Sequence, residues 1–176
     1  MRRFQGFRAQ AERRLQVLDS AVGLEDLTRL QSNRLKALSG KRKGQFSIRI
    51  NLQWRVCFEW LEDGPHNVEI RIITEERTSM KNAMRPIHPG EILREELAEL
   101  SLSANALAGA LGVPANRITS IIKEQRAITA DTALRLARYF GTTPEFWMNL
   151  QIAYEIRKAE TEIGEQIERT VQPRAA

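Results

Sequence analysis

The chain has 176 residues, 42% hydrophobic and 28% charged, which places it among globular proteins with room for two small domains and excludes a disordered chain. One cysteine and two histidines exclude an intrachain disulfide framework and argue against a His/Cys zinc site, so no metal or other cofactor is expected. The net charge of +5 falls wholly in residues 1–79, and no signal-peptide pattern or membrane-length apolar run (roughly 20 residues) occurs, so a cytoplasmic protein without a membrane partner is expected.

The first element reads as a helix. Phe4, Phe7, Ala11, Leu15 and Leu18 recur at three- and four-residue spacing, with Arg8, Arg13 and Arg14 elsewhere around it. Gly23 interrupts, and Leu24, Leu27 and Leu30 suggest a second short helical piece. From Gln45 the period changes to two: Phe46, Ile48 and Ile50, then Trp54, Val56, Phe58 and Trp60, alternate with polar residues. Glu62 to Pro65 supplies a turn and Asn67 to Ile73 a third strand. The expectation for this half is helices followed by a three-stranded antiparallel meander, an α+β unit.

Directly paired residues share a sheet face, so Ile50 should meet Trp54, Ile48 Val56, and Phe46 Phe58 across the odd loop Asn51 to Gln53. That register sets Arg49 opposite Arg55. Two readings stay open: arginines on a solvated face, or a phosphate-binding surface helped by Arg34, Lys36, Lys41, Arg42 and Lys43.

The stretch NVEIRIITEERTSMKNAMRPIHPGE, residues 67–91, collapses from strand into charge before a Pro-bearing segment opens a helix. It reads as a seam. The expected organisation is a domain over 1–73, a linker over 74–86, an all-α domain of five helices over 87–160 and a frayed tail over 161–176.

The second half carries a helix-turn-helix pattern. Ser103 can N-cap the first helix, Ala108 is small enough for a helix crossing, Gly112 tolerates positive φ in the turn, and Pro114 suits the first turn of the second helix. Leu107, Leu111, Ile118 and Ile121 bury the pair. Ala115, Asn116, Arg117, Ser120 and Lys123 are left facing outward: Asn can read adenine, Arg guanine or phosphate, and Ser and Lys suit phosphates, while Pro114 can pack on a base or sugar. The bland alternative is a helical bundle whose short pair is only core.

From His88 to about Lys158, HPGEILREEL, LSANALAGALGVPANRITSIIKEQRAIT and GTTPEFWMNLQ resemble the HigA antitoxins of the Xre class, with their λ-repressor-like fold. In the first half, NRLKALSGKRKGQFSIRIN and WRVCFEW resemble the HigB toxins, RelE-like ribonucleases that cut ribosome-bound messenger RNA. The first resemblance implies toxin neutralisation and operator binding as a homodimer. The second implies a basic catalytic face, matched by Arg49 and Arg55 with Lys36 and Lys41 as helpers. This chain departs from the HigB pattern: Ser39 precedes Gly40 where many members have Lys, no strand precedes the first helix, and RIITEERTSMKN replaces the ending that bears Tyr and His.

The expected function is therefore a sequence-specific DNA-binding antitoxin and autorepressor, fused to a toxin domain that has lost its activity, the halves docking in cis or in trans. The alternative is a self-inhibited ribosome-dependent mRNA endoribonuclease, with ribosome and messenger RNA as partners. A third reading is an interaction module with neither activity.

Overall fold

A computed structural model describes residues 7–72, 77–78 and 85–172. The expected linker, 74–86, falls mostly outside the described residues, as do Phe4 and Ile73.

The first half begins with α1 (Arg8–Ser20) and α2 (Leu24–Arg29), followed by a 3-10 turn at Gln31–Asn33. Ala11, Val17 and Leu18 of α1 are buried as their spacing predicts, but so are Glu12, Arg14 and Gln16. The helix is covered on more than one side, because the second half packs where solvent was expected. Arg14, read as an outward residue, is only 6% exposed.

The sheet is antiparallel with strands in chain order: β1 (Lys36–Ala37), β2 (Gln45–Arg49), β3 (Trp54–Leu61), β4 (Gly64–Ile72) and β5 (Arg77–Thr78). The expected three-stranded meander is its centre, and β1 and β5 are two-residue additions at its edges, too short to leave a periodic signal. Phe46 pairs with Phe58, Ile48 with Val56 and Arg49 with Arg55, the predicted register. The odd loop is closed by Asn51, whose Oδ1 accepts from the N–H groups of Gln53 (2.8 Å) and Trp54 (3.0 Å). Ile48, Ile50, Val56, Phe58 and Ile70 form the buried face. The other face carries arginines in register, Arg49 beside Arg55 and Arg55 beside Arg71, and the backbone of β4 pairs Arg71 with Arg77 of β5.

The second half is helical: α3 (Pro89–Glu99), α4 (Ala104–Leu111), α5 (Ala115–Ile122), α6 (Ala130–Phe140) and α7 (Pro144–Thr170). Ile92, Leu93, Leu107, Ile118, Ile121, Leu136, Phe146, Trp147 and Leu150 close its core. The helix α7 continues to Thr170, into the stretch 161–176 expected to fray, supported by the i,i+4 pairs Lys158–Glu162 and Glu165–Arg169. No helix among the described residues is long and apolar enough to cross a membrane.

The buried residues of both halves belong to one hydrophobic cluster. Polar groups complete the join. Both carboxylate oxygens of buried Glu96 accept backbone N–H groups from the 3-10 turn, Gln31 at 2.9 Å and Ser32 at 3.0 Å. Asp26 accepts from the N–H of Thr143 (2.7 Å) and its hydroxyl (3.0 Å), and Asn149 donates to the carbonyl of Ser20 (3.2 Å). Two acids and an amide thus serve backbone groups that would otherwise be buried without partners.

Candidate nucleic-acid interface

Local sequence chemistry builds the α4–α5 pair. Ser103 caps α4, accepting from the N–H of Ala106 at 3.1 Å. Gly112 ends it at φ 64°, which lets the next N–H, that of Val113, reach back to the carbonyl of Ala108 at 3.0 Å. Ala108 is buried at the crossing, with Leu107, Leu111, Ile118 and Ile121 around it. Pro114 occupies the N-cap position of α5, one residue before the first turn where it was expected; its carbonyl accepts from Arg117 N–H. The second helix is tied to α3 by Gly90, where a Cβ would lie 1.9 Å from the carbonyl oxygen of Ile121.

The predicted reading residues lie at the start of α4 and along α5. Ser103, Pro114, Ala115 and Asn116 are exposed, Arg117 and Ser120 are half-buried, and Lys123 caps the far end of α5, exposed. Arg117 is not free: its Nη1 pairs with Asp131 Oδ2 at the start of α6. Asp131 Oδ1 in turn accepts from Arg135 Nε at 3.0 Å, and Arg135 Nη1 donates to the carbonyl of Leu111, the last residue of α4, at 2.8 Å. Hydrogen bonds from Arg135 and then Arg117 hold the Asp131 carboxyl below its ordinary range. The sequence offers Thr129 or Asp131 as the cap of α6, and Thr129 takes the N-cap position, while the pairing of Asp131 with Arg117 has no local signature. The i,i+4 spacing of Asp131 and Arg135 was the available signal.

The second basic surface is differently placed. Arg49 and Arg55 lie side by side, but each is engaged. Arg49 pairs with Glu99 of α3 at 3.3 Å, and Arg34 pairs with the other oxygen of the same carboxylate. Arg55 donates to Ser47 Oγ at 2.8 Å, to the carbonyl of Ser47 at 2.9 Å and to that of Arg34 at 2.6 Å. Burial pulls its pKa down. Lys36 is exposed on β1, opposite Ser47. Lys41 lies in the 3-10 turn Gly40–Arg42, and its side chain is outside the described residues.

Deeper in the join, Arg14 donates to the carbonyl of Arg49 (2.9 Å), to Ser32 Oγ and Asn33 Oδ1 (both 3.2 Å), and pairs with Glu95 at 3.1 Å. Burial lowers its pKa against the pull of Glu95 and Glu96. The acids Glu95, Glu96 and Glu99 were legible only as part of an amphipathic helix; nothing in a single sequence says which arginines face them.

The comparisons with known proteins divide the chain in the same place. Residues 5–70 match the family model of the RelE-like toxin of type II toxin-antitoxin system HigB, and residues 93–147 match a helix-turn-helix family. Virulence-associated protein I of Dichelobacter nodosus is 60% identical over 81 residues, covering 46% of this chain and 75% of that protein. An addiction module antidote protein of the HigA family from Coxiella burnetii is 62% identical, with a TM-score of 0.50, over 51% of this chain and 99% of that one. The chain belongs to the HigA family. Its HigA half is also 52% identical to the Pseudomonas aeruginosa antitoxin HigA solved with the higBA promoter, with a TM-score of 0.51 over 52% of this chain and all of that one. One polypeptide here joins a HigB-like toxin domain to a HigA-type helix-turn-helix, and it is a toxin–antitoxin protein.

Proposed function

We propose that this HigA-family chain is a sequence-specific DNA-binding autorepressor that carries its toxin-like half docked in cis and catalytically silent. The observation that carries this reading is the disposition of α5. The hydrogen bonds and ion pairs joining the halves fall on Arg85, α3 and the start of α7, whereas Ala115, Asn116 and Lys123 stay exposed. The reading helix can enter a major groove without the toxin-like half being displaced. The P. aeruginosa HigA solved with its promoter supports DNA as the partner. A homodimer would set two such helices about 34 Å apart on successive major grooves. The isoleucines Ile152, Ile156, Ile163 and Ile167, exposed along α7, offer it a seam.

Silence of the toxin-like half rests on two features. Arg49, a family-matched cation, is paired with Glu99, a carboxylate it shares with Arg34. The stretch RIITEERTSMKN, residues 71–82, carries no Tyr or His to serve as general acid or base. The test is a titration of the full chain against a duplex from upstream of its own coding sequence and a shuffled duplex. Equal affinity for the two would reject sequence-specific repression.

A second reading is favoured by one observation, the row Arg49, Arg55 and Arg71 across three strands, suited to a run of phosphates. In it the chain is a ribosome-dependent mRNA endoribonuclease held off by α3. Expressing the full chain with Glu95→Ala and Glu99→Ala separates the two: growth arrest that Arg55→Ala relieves would favour the nuclease.

A further inference from the structure

We infer that Asp131 is a specificity-determining positioning residue, acting through Arg117 to turn a non-selective cation into a base reader. The inference rests on the DNA-binding reading and goes beyond it. Arg117 lies in the first turn of α5, a position from which a recognition helix meets base edges, and an arginine there is long enough to choose the flanking backbone phosphates instead. An arginine without a partner would settle on phosphate, which carries no sequence information. Asp131 removes that choice. It holds Arg117 by Nη1 alone, leaving the remaining N–H groups of the fork free.

Asp131 is itself anchored, so the restraint has a direction. Its other oxygen is taken by Arg135, and Arg135 is tied to the carbonyl that ends α4. The relay therefore runs from the last turn of α4 through two side chains on α6 to the first turn of α5. Arg117 is 25% exposed, so its neighbours pack along the side chain, and the pairing with Asp131, 52% exposed, sets which way the guanidinium points. A carboxylate so close to a DNA-facing helix repels phosphate. Its presence is costly to non-selective binding and useful only where a base contact compensates.

The test uses the full chain, with a duplex from upstream of its own coding sequence and a shuffled duplex of equal composition, read by fluorescence anisotropy over a salt series. Asp131→Asn is expected to move the two affinities in opposite directions. Binding to the promoter duplex should weaken about fivefold or more, as expected when one arginine–guanine contact is lost in part. Binding to the shuffled duplex should strengthen, with the slope of log K against log salt steeper by about 0.9, one additional phosphate. In an Arg117→Ala background the same substitution should leave the ratio of affinities unchanged. Asp131→Glu should restore part of the preference. Parallel shifts of both affinities, no shift, or an effect that survives Arg117→Ala would overturn the role of Asp131. A wild-type chain without promoter preference would instead defeat the DNA-reading proposal beneath it.

Discussion

Glu99, in the last turn of α3, lies 3.3 Å from Arg49 on β2 and takes Arg34 on its other oxygen. One antitoxin-side carboxylate thus occupies two cations of the surface expected to hold RNA phosphates. Arg34 is 57% exposed and Arg49 33% exposed, so solvent screens the cation side of both pairs, which matter more through occupancy than as stabilising interactions. Glu99→Ala should lower unfolding stability by less than about 1 kcal/mol in a denaturant titration. A loss several times larger would mean that Glu99 is a structural keystone and not a charge cover.

Glu96, one turn earlier, should behave oppositely. It is fully buried and satisfies two backbone N–H groups of the 3-10 turn. Glu96→Ala leaves both without acceptors, and a loss of about 3 kcal/mol is expected. Hydrogen exchange should locate the damage at Gln31 and Ser32. Unchanged protection there would contradict this assignment.

Gly90 sets a steric test of the α3–α5 contact. A Cβ there meets the backbone oxygen of Ile121 at 1.9 Å, which no rotamer change relieves. Gly90→Ala should cost about 3 kcal/mol and displace α5, weakening DNA binding together with stability. A neutral substitution would show that the two helices do not approach this closely.

His88 gives the pH dependence. Its Nδ1 accepts the N–H of Gly90 at 2.9 Å as the N-cap of α3, and burial lowers its pKa below 6.5. The unfolded chain takes up this proton more readily than the folded one, so stability is lost as pH falls below about 6.5. The slope between pH 6.5 and 5 should flatten in His88→Asn, which keeps a capping oxygen but does not titrate. An unchanged slope would assign the dependence elsewhere.

Much of this was legible because it is local. The β2–β3 register followed from alternation and an odd loop, and the α4–α5 pair from Ser103, Ala108, Gly112 and the paired isoleucines. What was not legible is long-range. Arg14 looked like a surface residue because periodicity reports one buried face, and a helix covered twice has no simple period. The neighbours of Arg49 and Arg117 come from other elements, so their engagement by Glu99 and Asp131 required the fold. The edge strands β1 and β5 were too short to register.

The central claim is that the outward face of α5 reads DNA while the toxin-like half stays docked. The most direct measurement is the affinity of the full chain for a duplex from upstream of its own coding sequence, before and after Asn116→Ala, Arg117→Ala and Ser120→Ala are combined. A loss of roughly 30-fold or more, with unfolding stability unchanged, is predicted from the removal of at least one good base contact. A loss of no more than about threefold would contradict the account, since one base contact should be worth more than that.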